Sequence, residues 1–102
     1  MKRIPMLGGW NIADVSPCNL PQRVASAFTG ALEGFVGASY EPLLYVGSQV
    51  VSGMNYAVIA KETIPTDGGS YEHIALVVVN EKPGIVADGE QKYSVVDITA
   101  IL

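Results

Sequence analysis

The chain has one cysteine, Cys18, one histidine, His73, one tryptophan, Trp10, and six Lys and Arg residues in 102 positions. A lone cysteine excludes an internal disulfide and fits a reducing compartment. One histidine and one cysteine cannot close a zinc shell, and the carboxylates are dispersed, so no metal site is expected. Six basic residues spread along a chain of net charge −4 leave no footprint for nucleic acid or an anionic membrane. No apolar run is long enough for a transmembrane helix. Met1 to Trp10 lacks the apolar core of a signal peptide, so the expected location is cytoplasmic, or secreted if a leader has been removed. What remains is a composition with 49% hydrophobic and 16% charged residues, too apolar for disorder and long enough for one small core. A single domain over 1–102 is expected, with 1–10 as a flexible N-terminal trunk.

Residues 1–18 show no clear periodicity. Gly8-Gly9 is either a plain linker or a hinge, and Ile12 and Val15 could form a short edge strand or pack under the sheet. Residues 19–37 read as the helix. Asn19 is placed to cap it, Pro21 lies in the first turn, and Gln22 stands at capping-box spacing. Leu20, Val24, Ala27/Phe28, Ala31/Leu32 and Phe35 form an apolar stripe of helical period. Gly30 and Gly34 share a face and point to close approach of the helix to a sheet in preference to a helix-pairing motif, and Gly37 is the expected C-cap. From residue 40 onward the pattern is strand: 42–46, 56 to about 64, 71–79 and 92–102. Turn signals separate them at Pro65–Gly69 and Asn80–Gly84. In the last strand the set with Ile98 and Leu102 is expected on the core side. Lys61, Glu62 and Glu72 read as cross-strand charges.

One stretch stands out. No charged residue occurs from Leu43 to Ala60, and Ser48–Tyr56 reads as the turn and flanks of a hairpin with Gly53 at the bend. Side chains alternate across a strand, so adjacent Val50 and Val51 force at least one of them outward. An apolar hairpin tip is suited to entering a groove. Counting strand reversals places the turn near Pro83-Gly84 at the same end as this tip.

The remaining reactive residues form no catalytic constellation in the sequence. Cys18 and His73 lack a local signature that would pair them as nucleophile and base. Gly68-Gly69 lacks the helix and lysine of a phosphate loop. The expectation is a protein that is not an enzyme and carries no cofactor.

Gln49-Val50-Val51-Ser52-Gly53 resembles the Gln-x-Val-x-Gly signature of the cystatins, inhibitors of papain-like cysteine proteases. The likeness extends through Ser48 and Asn55-Tyr56, and Gly8-Gly9 stands where that family has its N-terminal glycine. The resemblance implies a cystatin-like α+β fold, one long helix packed on an antiparallel β-sheet. It also implies a reversible competitive inhibitor whose partner is a papain-like, cathepsin-type protease. Met6 and Leu7 would enter the unprimed substrate pockets with Gly8 and Gly9 as the joint. Gln49, Val50, Val51, Ser52 and Gly53 would fill the cleft beside the catalytic cysteine, and Pro83 and Gly84 would form the second tip. On this view Gly53→Glu would set a charge in the cleft without unfolding the sheet. Many family members carry Pro-Trp at the second tip; here Gly84 follows Pro83. The alternative is a non-inhibitory cystatin-fold module that binds another protein or peptide by the same edge. A monomer is expected, with domain swapping across the first hairpin as its alternative.

Overall fold

A computed structural model describes residues 9–14 and 19–102. The elements run β1 (Trp10–Ile12), α1 (Gln22–Leu32), β2 (Ser39–Val51), β3 (Gly53–Thr66), β4 (Gly69–Glu81) and β5 (Tyr93–Ala100). The strands form one antiparallel sheet in the order β1-β2-β3-β4-β5, so chain neighbours are sheet neighbours throughout β2 to β5. The expected cystatin-like α+β fold with one long helix is overturned. The helix has 11 residues, fewer than any of β2, β3 and β4, and the molecule is mostly β.

The helix is short for local reasons. Its N-cap is Pro21, which makes no side-chain cap hydrogen bond, so the Asn19 capping box does not form. The first helical bond runs from the Ala25 N–H to the Pro21 carbonyl (2.9 Å). At the other end Glu33 is already extended, and Gly34 and Gly37 take positive φ. Gly34, directly after the extended Glu33, turns the chain away where the apolar stripe alone would have continued the helix, since glycine enters the left-handed region at little cost; Gly37 lies beyond this end and is not the C-cap. Phe35 consequently leaves the stripe. It is 45% exposed and meets Tyr40 edge-on, with ring centroids 5.8 Å apart.

Val24, Ala27 and Phe28 press the helix onto Tyr56, Val58 and Ala60 of β3 and Ala75, Val77 and Val79 of β4, all buried. Gly30 makes the approach close: a methyl group there would lie 2.4 Å from the Tyr93 ring. On the helix-free face Ile59, Leu76 and Val78 are half-buried, and Lys61 sits between Glu41 (3.4 Å) and Glu72 (3.6 Å). β5 departs from simple alternation. Val79 pairs with Val95 and Val78 with Asp97, so Val96 is bulged out. A one-residue insertion exchanges the faces on either side of it. Tyr93 and Ile98 therefore both pack against the core, whereas Leu102 is exposed.

Candidate functional site

Three chain segments meet at one end of the sheet. The first is the start of β1, where Trp10 pairs with Gln49 of β2. The second is the β2–β3 turn, where Val51 pairs with Gly53 and only Ser52 lies between the strands. The third is the connection 82–92 between β4 and β5, which opens with Lys82-Pro83-Gly84. Met6, Leu7 and Gly8 lie outside the described residues. Gly9 is half-buried beside Trp10.

Apolar side chains are exposed at this end. Val50 is 38% exposed, Val51 is half-buried, and Ser52 is open to solvent. The outward valine expected of the pair is Val50. Trp10 is 40% exposed. Ile85, directly after Pro83-Gly84, is 100% exposed. Trp10 and Ile85 were missed as site residues. The alternation rule has no purchase in an irregular loop, and Trp10 owes its position to a strand pairing of three residues.

Gly53 does not present open space to a partner. It has φ +91°, and a methyl group on it would lie 2.0 Å from the Glu81 carbonyl oxygen and 3.1 Å from Pro83 Cδ. The absence of a side chain lets the first tip close onto the base of the second. The expectation that Gly53→Glu would act only by placing a charge in a cleft is corrected: any side chain there first forces the two tips apart.

Behind the tips, on the helix side, Glu81 is 6% exposed and collects three partners. Its Oε1 accepts from Arg23 Nε (2.8 Å) and from the Tyr56 hydroxyl (2.9 Å), and its Oε2 lies 3.9 Å from Lys92 Nζ. Burial pushes the Glu81 carboxyl up, but the hydrogen bonds from Arg23 and Tyr56 and the charges of Arg23 and Lys92 together hold it below the usual carboxylate value. Burial, with the Glu81 hydrogen bond, pushes the Tyr56 phenol up to about 12. Lys92 also donates to the Gly84 carbonyl (2.8 Å), and the Lys82 N–H donates to the Lys92 carbonyl (2.9 Å). Pro83-Gly84 thus opens a pinned loop.

On the helix-free side the Asn55 amide donates to Gln49 Oε1 (2.9 Å), and the Asn80 amide donates to Asn55 Oδ1 (2.9 Å). The tips are therefore held from both faces of the sheet by polar contacts, with apolar side chains left at the outer edge. Comparison with known proteins finds no matching family model, no matching curated protein and no matching solved structure. Any functional reading of this end rests on the chain's own residues.

Among the described residues no group of three His, Cys, Asp or Glu side chains could hold a metal ion, and no described helix is long and apolar enough to cross a membrane. His73 stacks on Tyr71 with centroids 6.2 Å apart and pairs across the strands with Glu62, remote from the tips. Cys18 lies outside the described residues. The outer edge of this end of the molecule offers shape and apolar contact, with the Glu81 cluster behind it.

Proposed function

We propose that the chain is a reversible competitive inhibitor of papain-like cysteine proteases. The trunk Met6–Gly9, the first tip Gln49–Gly53 and the loop opening at Pro83-Gly84 act together as an edge that enters the active-site cleft. One observation carries the reading. Trp10 at the start of β1, the first tip and the loop that opens at Pro83-Gly84 lie at one end of the sheet, with Gly53 closed against Glu81 and Pro83. The short helix and mostly β architecture form no part of this support.

The mechanism is steric. Val50 and Val51 supply apolar area on an edge whose backbone is already paired, so little ordering is required on binding. Nothing at the tip activates a nucleophile or presents a strained bond, and the inhibitor is released intact. Ile85 offers an aliphatic contact from the second loop, near the position where the resemblance leads one to expect an aromatic one.

Titrating papain with the full chain tests the proposal. Stoichiometric, reversible loss of activity is expected, competitive with substrate. Full activity at high micromolar concentrations of the chain would reject it. Removing residues 1–7 is expected to accelerate dissociation more than it slows association. Equal dissociation rates for the two forms would take the trunk out of the mechanism.

A further inference from the structure

The row Trp10–Gln49–Asn55–Asn80–Ser94 crosses all five strands two pairs below the Val51–Gly53 pair that closes the first tip. Directly opposed residues share a face, so these side chains lie together on the helix-free side. Three consecutive members are primary amides joined in one direction: Asn80 to Asn55 (2.9 Å), then Asn55 to Gln49 (2.9 Å). Asn80 Nδ2 also reaches the Met54 carbonyl (3.4 Å). Asn55 is only 9% exposed, and it and Glu81 are the two buried polar residues among those described. The next row on this face, Ile12–Gly47–Ala57–Val78, is apolar as far as β4 and ends at Asp97 of β5.

A buried amide in such a setting must be hydrogen-bonded to avoid a large desolvation cost, and a packed apolar residue would serve stability more simply. What the amides add is direction. They fix which edge of Gln49 faces inward. They also oppose a register slip of β2 on β3, because a shift of one residue would turn Gln49 to the opposite face from Asn55. Asn55 leads back to Gly53, and Asn80 leads on to Glu81 and Pro83, so the ladder joins the strands that carry both tips.

We propose that Asn55 and Asn80 are positioning residues, which set the Gln49 side chain and the conformation of the first tip before a partner arrives. This rests on the reading of the tip as the protease-contacting edge. The test uses the full chain and Asn80→Leu, near in size but unable to donate. Without a protease, the Gln49 and Asn55 side-chain amide resonances are expected to shift. Backbone amides of residues 50–54 are expected to exchange about five- to tenfold faster, beyond any change at Val58 and Val77. With papain, dissociation is expected to accelerate by a similar factor. In a Gln49→Ala background Asn80→Leu should add little, since the two act through one ladder.

Ile74→Ala, on the same face at the other end of the sheet, controls for stability: it should lower the melting temperature and leave dissociation unchanged. Tip exchange that merely follows the core, or additive effects of the Gln49 and Asn80 changes, would overturn the proposal. A wild-type chain that fails to inhibit papain would remove the proposed function, while the exchange and resonance measurements would still decide whether the ladder sets the tip.

Discussion

The α-carbon of Gly53 faces the carbonyl oxygen of Glu81 so closely that a methyl group on the glycine would stand 2.0 Å from that oxygen. Contact at this distance involves backbone, which cannot swing aside. The two tips are therefore one body, and the glycine makes them so.

Gly53→Ala is accordingly expected to be costly for two separate reasons. Its φ of +91° is strained for any residue with a Cβ, at roughly 1–2 kcal/mol, and relief of the Glu81 collision must separate the tips. Thermal unfolding should show a lower melting temperature, and the inhibition constant against papain should rise at least about tenfold, a loss on the order of 1.4 kcal/mol. Retained inhibition beside a lowered melting temperature would show that tip closure is unrelated to binding.

Glu81 contributes a pH dependence whose sign is fixed by its environment. The folded carboxyl lies below its ordinary value because Arg23, Tyr56 and Lys92 more than offset its burial. Its stabilisation is thus fully present above the unfolded carboxylate range, near pH 4.3, and is lost as pH falls through the folded value. Glu81→Gln should be less stable than the parent at pH 7, by roughly 1–3 kcal/mol, because Arg23 and Lys92 lose a buried anion. Melting curves of the two proteins taken from pH 7 downward should converge in acid. A constant gap down to pH 2 would exclude Glu81 as the source.

Gly30 shows where local propensity and packing oppose each other. Alanine would favour the helix by about 1 kcal/mol, but its methyl group would meet the Tyr93 ring at 2.4 Å. Gly30→Ala is therefore expected to destabilise, by about 1–2 kcal/mol net, because overpacking displaces the ring. In a Tyr93→Leu background the sign should reverse. Denaturant titration of the four-member cycle measures this; additive effects would dissociate Gly30 from Tyr93.

Much of this architecture was legible in the residues, and the failures have physical causes. Alternation in β4 correctly separated Ala75, Val77 and Val79 from Ile74, Leu76 and Val78, because a regular antiparallel strand obeys its period. Alternation misled in β5, where the Val96 bulge exchanges the faces. The stripe through Phe35 suggested a helix to residue 37, yet periodicity carries no information about the backbone sign that Gly34 and Gly37 adopt. Strand counting brought the first tip and Pro83-Gly84 to one end. It could not reveal the Glu81 cluster, since Arg23, Tyr56, Glu81 and Lys92 are brought together only by tertiary packing. Nor did it reveal the amide ladder, which requires the register of β2 on β3 and of β3 on β4.

Ile85 provides the sharpest separation of binding from stability. It is wholly exposed, in a loop whose conformation is held by Lys92 on the Gly84 carbonyl and by the Lys82 backbone on Lys92. Its side chain contributes nothing to the core, so Ile85→Asp should leave the melting temperature within about 1 °C, as surface changes remote from any packed feature do. If the second loop touches the protease, the same change places a charge against an apolar contact and should raise the inhibition constant about tenfold, chiefly through faster dissociation. Ile85→Trp should act in the opposite direction by enlarging the apolar contact. Identical inhibition constants for isoleucine, aspartate and tryptophan at this position would assign the binding edge to the first tip and the trunk alone.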